Sequence, residues 1–150
     1  MALASTIITS TVHPRESGED GFCYTFYWIA ITAPSDAAYE RARQVTDDIV
    51  TTDEVLAEYL TFFCTGPEYM RRKAAANVQA ILKDSTVRVI PQTHESFLAG
   101  LELYSARPDK GYSLPDCISM QTMRKEGLTD VLTNDRHFEQ EGFRALFRDS

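Results

Sequence analysis

The chain predicts an α/β fold, with helices covering both faces of a central parallel sheet of four or five strands. Three observations carry that expectation. Short apolar or β-branched segments recur at Phe22-Cys23-Tyr24-Thr25, Ile49-Val50-Thr51-Thr52, Thr86-Val87-Arg88-Val89-Ile90 and Val131-Leu132-Thr133. The segments between them carry apolar residues at helical spacing. Strands that alternate with helices pair parallel, because each crossover returns the chain to the same end of the sheet. The 150 residues suffice for one domain with a substantial core and leave little for a second. That domain is expected over residues 21–150, after an N-terminal arm of residues 1–20.

The arm shows no period, and His13-Pro14-Arg15-Glu16-Ser17-Gly18-Glu19-Asp20 is polar and turn-like, as in a poorly ordered lead-in. Phe22 to Thr25 suits a central strand. The run Phe26-Tyr27-Trp28 that follows is too bulky for a surface, base stacking being its other use. Pro34-Ser35-Asp36 starts a helix ahead of Ala37-Ala38-Tyr39-Glu40-Arg41-Ala42. After the strand at Ile49, a helix runs from Asp53 to Thr65. Asp53 and Glu54 lie in its first turn, where the helix dipole favours acids. Val55, Leu56, Tyr59, Leu60 and Phe63 form its apolar stripe, and Gly66-Pro67 stops it. The next helix, from about Glu68 to Lys83, is Ala-rich in its middle and basic at Arg71-Arg72-Lys73. Pro91 closes the third strand. Thr93 caps a helix to Ala106 with Phe97, Leu98, Leu101 and Tyr104 inward. The helix holding Asp116 ends at Gly127; Asp135 to Glu141 is a short helix, and Phe143 to Phe147 a last edge strand.

Composition narrows the function classes. Hydrophobic content of 43% and charged content of 25% are ordinary for a soluble globular protein. No apolar run approaches the roughly 20 residues of a membrane helix, and Met1 to Val12 lacks the basic start of a signal peptide. Cys23, Cys64 and Cys117 have neither pairing nor metal spacing, so they read as reduced, buried thiols of a cytoplasmic protein. A net charge of −7 argues against an overall surface that coats nucleic acid, but does not exclude a nuclease whose acidic cleft works through a cation.

Three acids stand where an α/β fold gathers ligands. Asp116 lies where a loop turns into a helix. Asp135 follows a strand's C-terminal end, where open sheets keep their crevice. Glu58, at the border of an apolar stripe, can lean over the same edge. Each has a plainer reading as well: a first-turn acid, a helix cap and a solvated face residue respectively. His137 beside Asp135 reads as packed or solvated rather than as a base or ligand. Arg41, Arg43, Arg136 and Arg71-Arg72-Lys73 are either phosphate contacts or solvated helix faces.

Four stretches carry a resemblance: Tyr24-Thr25-Phe26-Tyr27-Trp28-Ile29-Ala30, Thr51-Thr52-Asp53-Glu54-Val55-Leu56-Ala57-Glu58, Tyr112-Ser113-Leu114-Pro115-Asp116-Cys117-Ile118-Ser119, and Leu132-Thr133-Asn134-Asp135-Arg136-His137-Phe138 with Gly142-Phe143 after it. Over roughly residues 22–147 the chain resembles the PIN-domain ribonucleases, most closely the VapC-type toxins of type II toxin–antitoxin pairs. The resemblance implies a three-layer α/β/α PIN-like fold and a metal-dependent endoribonuclease using Mg2+ or Mn2+. It implies Glu58, Asp116 and Asp135 as the catalytic, metal-binding acids, with Thr25 and Thr133 lining the site. RNA, a small antitoxin protein and a second copy of the chain are the implied partners, with the Tyr69, Met70 and Phe62 region facing protein partners.

The chain departs from that pattern at Tyr24, which stands where the family has an Asp; a phenol is a poor ligand for a hard cation at neutral pH. Pro115 before Asp116 is a lesser departure, and residues 1–20 have no counterpart in the resemblance. Impaired activity follows as an expectation. Tyr24 marks either a degenerate domain or an active toxin recovered in disarmed form. A catalytically inactive module that binds antitoxin or RNA, or dimerises, is the alternative. A receiver-type phosphoacceptor domain is a third reading, but the acidic pair and late Lys it needs are not evident.

Overall fold

A computed structural model of the chain describes residues 20–45 and 48–148. The arm expected over residues 1–20 lies outside the described residues, Asp20 excepted. Five strands, β1 (Gly21–Cys23), β2 (Ile49–Thr52), β3 (Val87–Ile90), β4 (Asp130–Leu132) and β5 (Arg144–Ala145), form one sheet in the order β3-β2-β1-β4-β5. Every neighbouring pair is parallel. Helix α1 (Thr25–Thr32) packs on both α2 (Tyr39–Ala42) and α3 (Asp53–Phe62), and α3 on α4 (Glu68–Lys83), whereas α5 (His94–Ala106) runs along α6 (Leu114–Glu126), with the short α7 (Arg136–Gln140) beyond. This is the three-layer α/β/α arrangement expected from the alternation of strands and helices.

The strand order places a site. From β1 the chain steps outward to β2 and β3, then returns to lay β4 on the other flank of β1 and β5 outside it. Crevices open where the order reverses, beyond the carboxyl ends of the two central strands. Cys23 and Leu132 are register partners at those ends, so Tyr24 and Thr133 are the first residues past the sheet.

The centre is dry and aromatic. Phe22 pairs with Val50 on one side and Val131 on the other, all three buried. Tyr27 and Trp28 are buried in α1, so the aromatic run is core rather than a base-stacking platform. Trp28 Nε1 donates to Thr51 Oγ1 at 3.2 Å, and that hydroxyl donates to Cys23 O at 2.9 Å. Burying an indole N–H without such a partner would be costly. At the sheet edge, the Arg144 guanidinium forks onto the buried Asp130 carboxylate at 3.0 and 2.9 Å and ties β5 to β4.

Four local expectations need correction. Strand β1 stops at Cys23, because the Tyr24 carbonyl already accepts the Tyr27 N–H and opens α1. Helix α3 ends at Phe62, so Cys64 lies in the following turn and is exposed, not buried. Met70 is half-buried against the core, so of the three residues expected to face partners only Phe62 and Tyr69 are exposed, with Leu60 and Leu82 exposed on the same two helices.

The fourth concerns α5, where Phe97, Leu98, Leu101 and Tyr104 are 41%, 48%, 40% and 50% exposed, while Gly100 and Leu103 face inward. A glycine sets that orientation: a Cβ at Gly100 would stand 2.3 Å from Ile118 Cγ1 and 3.0 Å from the Ile118 backbone. The helices touch where there is no side chain. Gly100→Ala is therefore expected to destabilise the protein by about 1–3 kcal/mol through overpacking, read as a lower urea midpoint at unchanged slope. An unchanged midpoint would show that α5 can slide outward at no cost.

Candidate active site

Each acid is held by the element it starts or borders. Ser113 and Asp116 form a reciprocal capping box on α6: Asp116 N–H donates to Ser113 Oγ at 3.1 Å, and Ser113 N–H donates to Asp116 Oδ2 at 3.0 Å. Pro115 falls in the first turn of α6, where helical N–H groups have no intrahelical partner, so its missing donor costs nothing. Asp135 caps α7, its Oδ1 accepting the His137 N–H at 2.9 Å, while its own N–H donates to the buried Thr133 hydroxyl at 3.3 Å. Glu58 leans from α3 toward α1 and accepts the Thr25 hydroxyl on Oε1 at 2.9 Å. Beside it opens a recess of about 510 Å³ bordered by Glu54, Phe62, Gln92 and Pro115.

Tyr24 lies at the middle of this arrangement. It is 7% exposed, packs edge-on against Phe138 with ring centroids 4.9 Å apart, and donates its hydroxyl to Asp116 Oδ1 at 2.5 Å. Burial, reinforced by the Asp116 and Glu58 carboxylates, pushes its phenol well above the ordinary value. It is a neutral donor at any physiological pH, not a phenolate ligand. Tyr24 also precedes α1 as its N-cap without giving the helix a side-chain cap, and no acid sits in the first turn. A carboxylate at this position would satisfy that end.

Burial raises the Glu58 carboxyl, the Thr25 hydrogen bond offsets this only in part, and the Asp116 charge adds to the rise. An acid whose folded pKa is raised favours folding below its unfolded pKa and loses that contribution as pH rises through the folded pKa. At neutral pH Glu58 therefore works against the cation-free fold. Glu58→Gln is expected to raise the melting temperature in chelator, by less than about 3 °C because the group is half-exposed. A drop would show that the Thr25 contact outweighs the burial.

One residue at the site was not read as functional from the sequence. Asp116, Asp135 and His137 each offer a ligand atom within 4.8 Å of the other two. His137 Nδ1 lies 3.5 Å from Asp116 Oδ2 and 3.4 Å from Asp135 Oδ1, and it is buried without a hydrogen-bond partner. Two carboxylates converging on an orphaned imidazole nitrogen suit a divalent cation. Spacing in the chain gave little sign of this: Asp135 and His137 are two apart, but Asp116 joins them only through the fold. Behind the ring, Tyr112 packs edge-on at 5.3 Å and reaches Glu141, which also receives Arg107 and Arg124.

Most basic side chains singled out above are engaged within the fold. Arg72 pairs with Glu68, Arg71 donates to Cys64 O, Lys73 to Thr32 O and Arg41 to Leu146 O, and Arg43 lies over Tyr39. Arg136, next to Asp135, is exposed.

The sequence matches the family model of the PIN domain over residues 25–143, beginning one residue after Tyr24. Among solved structures, the chain is similar to the crystal structure of the Mycobacterium tuberculosis toxin VapC20, which cleaves the sarcin-ricin loop. The TM-score is 0.73 at 26% identity, over 83% of this chain and 96% of that one. No curated protein matches. A family match over most of the chain, on a parallel sheet with acids gathered at its switch point, shows that this protein belongs to the PIN domain family, with a VapC-type toxin ribonuclease as its structural relative.

Proposed function

We propose that the chain is a metal-dependent endoribonuclease of VapC toxin type whose activity is impaired by Tyr24. The observation that carries this reading is the convergence of Asp116 and Asp135 at the switch point, with the Tyr24 hydroxyl on Asp116 Oδ1. Glu58, Asp116 and Asp135 would hold Mg2+ or Mn2+. Such a cation lowers the pKa of a bound water and stabilises charge on the scissile phosphate. The residues around the acids do the positioning. Ser113 fixes Asp116 in its rotamer, Thr133 fixes the Asp135 backbone, and Thr25 holds Glu58 at the mouth of the recess.

Tyr24 removes one anionic ligand and engages an oxygen of another. That contact also favours the second reading, a PIN-domain module kept for binding alone. Cleavage of RNA with Mg2+ or Mn2+ by this chain and by Tyr24→Asp separates the two. Metal-dependent cleavage by Tyr24→Asp, abolished by a further Asp116→Asn, supports the nuclease. No cleavage by either chain supports the module.

RNA, a small antitoxin protein and a second copy of the chain are the partners this reading calls for, in a cytoplasmic setting. The VapC20 likeness supports it, as do the exposed apolar side chains Phe62 and Tyr69. Among the described residues, no helix is long and apolar enough to cross a membrane. The exposed Arg136 is the cation nearest Asp135 in the chain, suited to a substrate phosphate. Arg136→Ala is expected to weaken RNA binding across sequences and to reduce the slope of log affinity against log salt by about 0.7–0.9. An unchanged slope would place Arg136 outside the RNA path.

A further inference from the structure

We infer that His137 is a cation ligand, its Nδ1 completing with Asp116 and Asp135 a site that lacks an acid at position 24, and that this nitrogen turns the site toward Mn2+ and away from Mg2+. The inference rests on the nuclease-site reading above and goes beyond it in adding a ligand and a selectivity.

Three observations support it. The first is spacing. Ligand atoms roughly 2.0–2.2 Å from a common cation lie about 3–4.3 Å apart, and His137 Nδ1 stands 3.5 and 3.4 Å from the two carboxylate oxygens. Those separations are long for a hydrogen bond, and the nitrogen makes none. The second is orientation. Both oxygens are already held from behind, Asp116 Oδ2 by the Ser113 N–H and Asp135 Oδ1 by the His137 N–H, and each keeps a free lone pair. Outer partners of this kind fix ligands in place. Tyr24 does the same for Asp116 Oδ1, so the phenol serves as an orienting donor where the family pattern has a ligand.

The third is the setting of the ring. Tyr112 packs on its edge, and Gly111 lies beside its Nε2, where an added Cβ would come to 3.9 Å, an ordinary contact. With the ring held, the buried nitrogen has the two acids as its polar neighbours. Mn2+ shares the carboxylate preference of Mg2+, but as a first-row transition ion it accepts an imidazole nitrogen beside its oxygen ligands, whereas Mg2+ keeps oxygen ligands and water. Replacing a carboxylate by an imidazole in the ligand set also makes the site less anionic, which weakens its hold on a hard cation further.

The competing explanation is that His137 is a counter-charge for the two acids, and the two predict opposite signs. Titration calorimetry of the full chain with Mn2+ and with Mg2+, alongside His137→Gln, is expected to show Mn2+ bound more tightly than Mg2+. His137→Gln should lose about tenfold or more in Mn2+ affinity, with Mg2+ affinity little changed. Electron spin-echo spectra of Mn2+ on the unmutated chain should carry the modulation of a coordinated imidazole nitrogen, a readout that needs no variant to fold. Unchanged or tighter Mn2+ binding by His137→Gln would overturn the inference, as would a Mn2+ spectrum without nitrogen modulation or no Mn2+ binding at millimolar concentration. The two readings fail separately. RNA cleavage regained by Tyr24→Asp with no nitrogen signature overturns the His137 ligand and leaves the nuclease. A His137-dependent Mn2+ site without cleavage in Tyr24→Asp supports the ligand and removes the nuclease.

Discussion

Replacing Tyr24 with Asp is expected to raise Mn2+-dependent RNA cleavage at least about a hundredfold over the unmutated chain. The substitution acts on the site in two ways at once. It withdraws the hydroxyl that now sits 2.5 Å from Asp116 Oδ1, and it places a hard anionic oxygen beside Asp116 and Glu58, where a phenol stays neutral. Tyr24→Phe separates the two effects, since it removes the hydroxyl and keeps the ring against Phe138. The Phe variant frees an oxygen of Asp116 without adding a ligand, so it should recover little of the cleavage. Equal recovery in both variants would mean that the hydroxyl alone blocks the site and that the missing ligand does not matter.

Stability should move the other way in the absence of cation. The Asp variant loses the buried ring, a large-to-small change worth about 3–5 kcal/mol, while the gained N-cap of α1 returns about 1 kcal/mol. A net loss of roughly 2–4 kcal/mol in chelator follows from those two figures. Repulsion from Asp116 and Glu58 adds to it, and bound Mn2+ reverses it in proportion to the logarithm of its concentration. The unmutated chain should show a much smaller rise in melting temperature with Mn2+. Equal rises in the two proteins would mean that position 24 does not face the cation.

Much of this site was legible in the sequence because its acids sit at chain punctuation. Asp116 and Asp135 are an N3 and an N-cap residue, and helix starts can be read from local residue types. The strands were legible for the same local reason. What was not legible depends on contacts between elements. The apolar period of α5 gives no sign of which stripe faces in; Gly100, seated on Ile118, turns Phe97, Leu98, Leu101 and Tyr104 outward. His137 looked ordinary because its partner Asp116 is 21 positions away. Tyr24 was legible as a departure from the family pattern, but not as a donor to Asp116, which needs β1 and α6 to meet at the switch point.

Glu141→Gln is expected to cost about 1.5–3 kcal/mol at neutral pH, the range for hydrogen bonds to a charged group. Its carboxylate, 5% exposed, gathers Arg107 at 2.6 Å after α5, Arg124 at 2.5 Å from α6 and the Tyr112 hydroxyl at 3.3 Å. Burial alone would raise its pKa, but the hydrogen bonds and charges of the two arginines outweigh that and hold it below the ordinary value near 4.5. A lowered folded pKa means that the stabilisation is fully present above the unfolded pKa and is lost as pH falls through the folded one. The gap in unfolding free energy between the unmutated chain and Glu141→Gln should therefore be widest near neutrality and close on acidification below the ordinary carboxylate range. Urea midpoints at neutral pH and at about pH 3 measure it; a gap that persists in acid would assign the loss to packing rather than charge. The same carboxylate bears on the proposed metal site, because Tyr112, braced by Glu141 and pushed up to a pKa of about 12 chiefly by burial and secondly by that neighbour, packs on His137. If Tyr112 holds the imidazole toward Asp116 and Asp135, Glu141→Gln should also weaken Mn2+ binding, by less than His137→Gln does, although Glu141 touches none of the acids at the site.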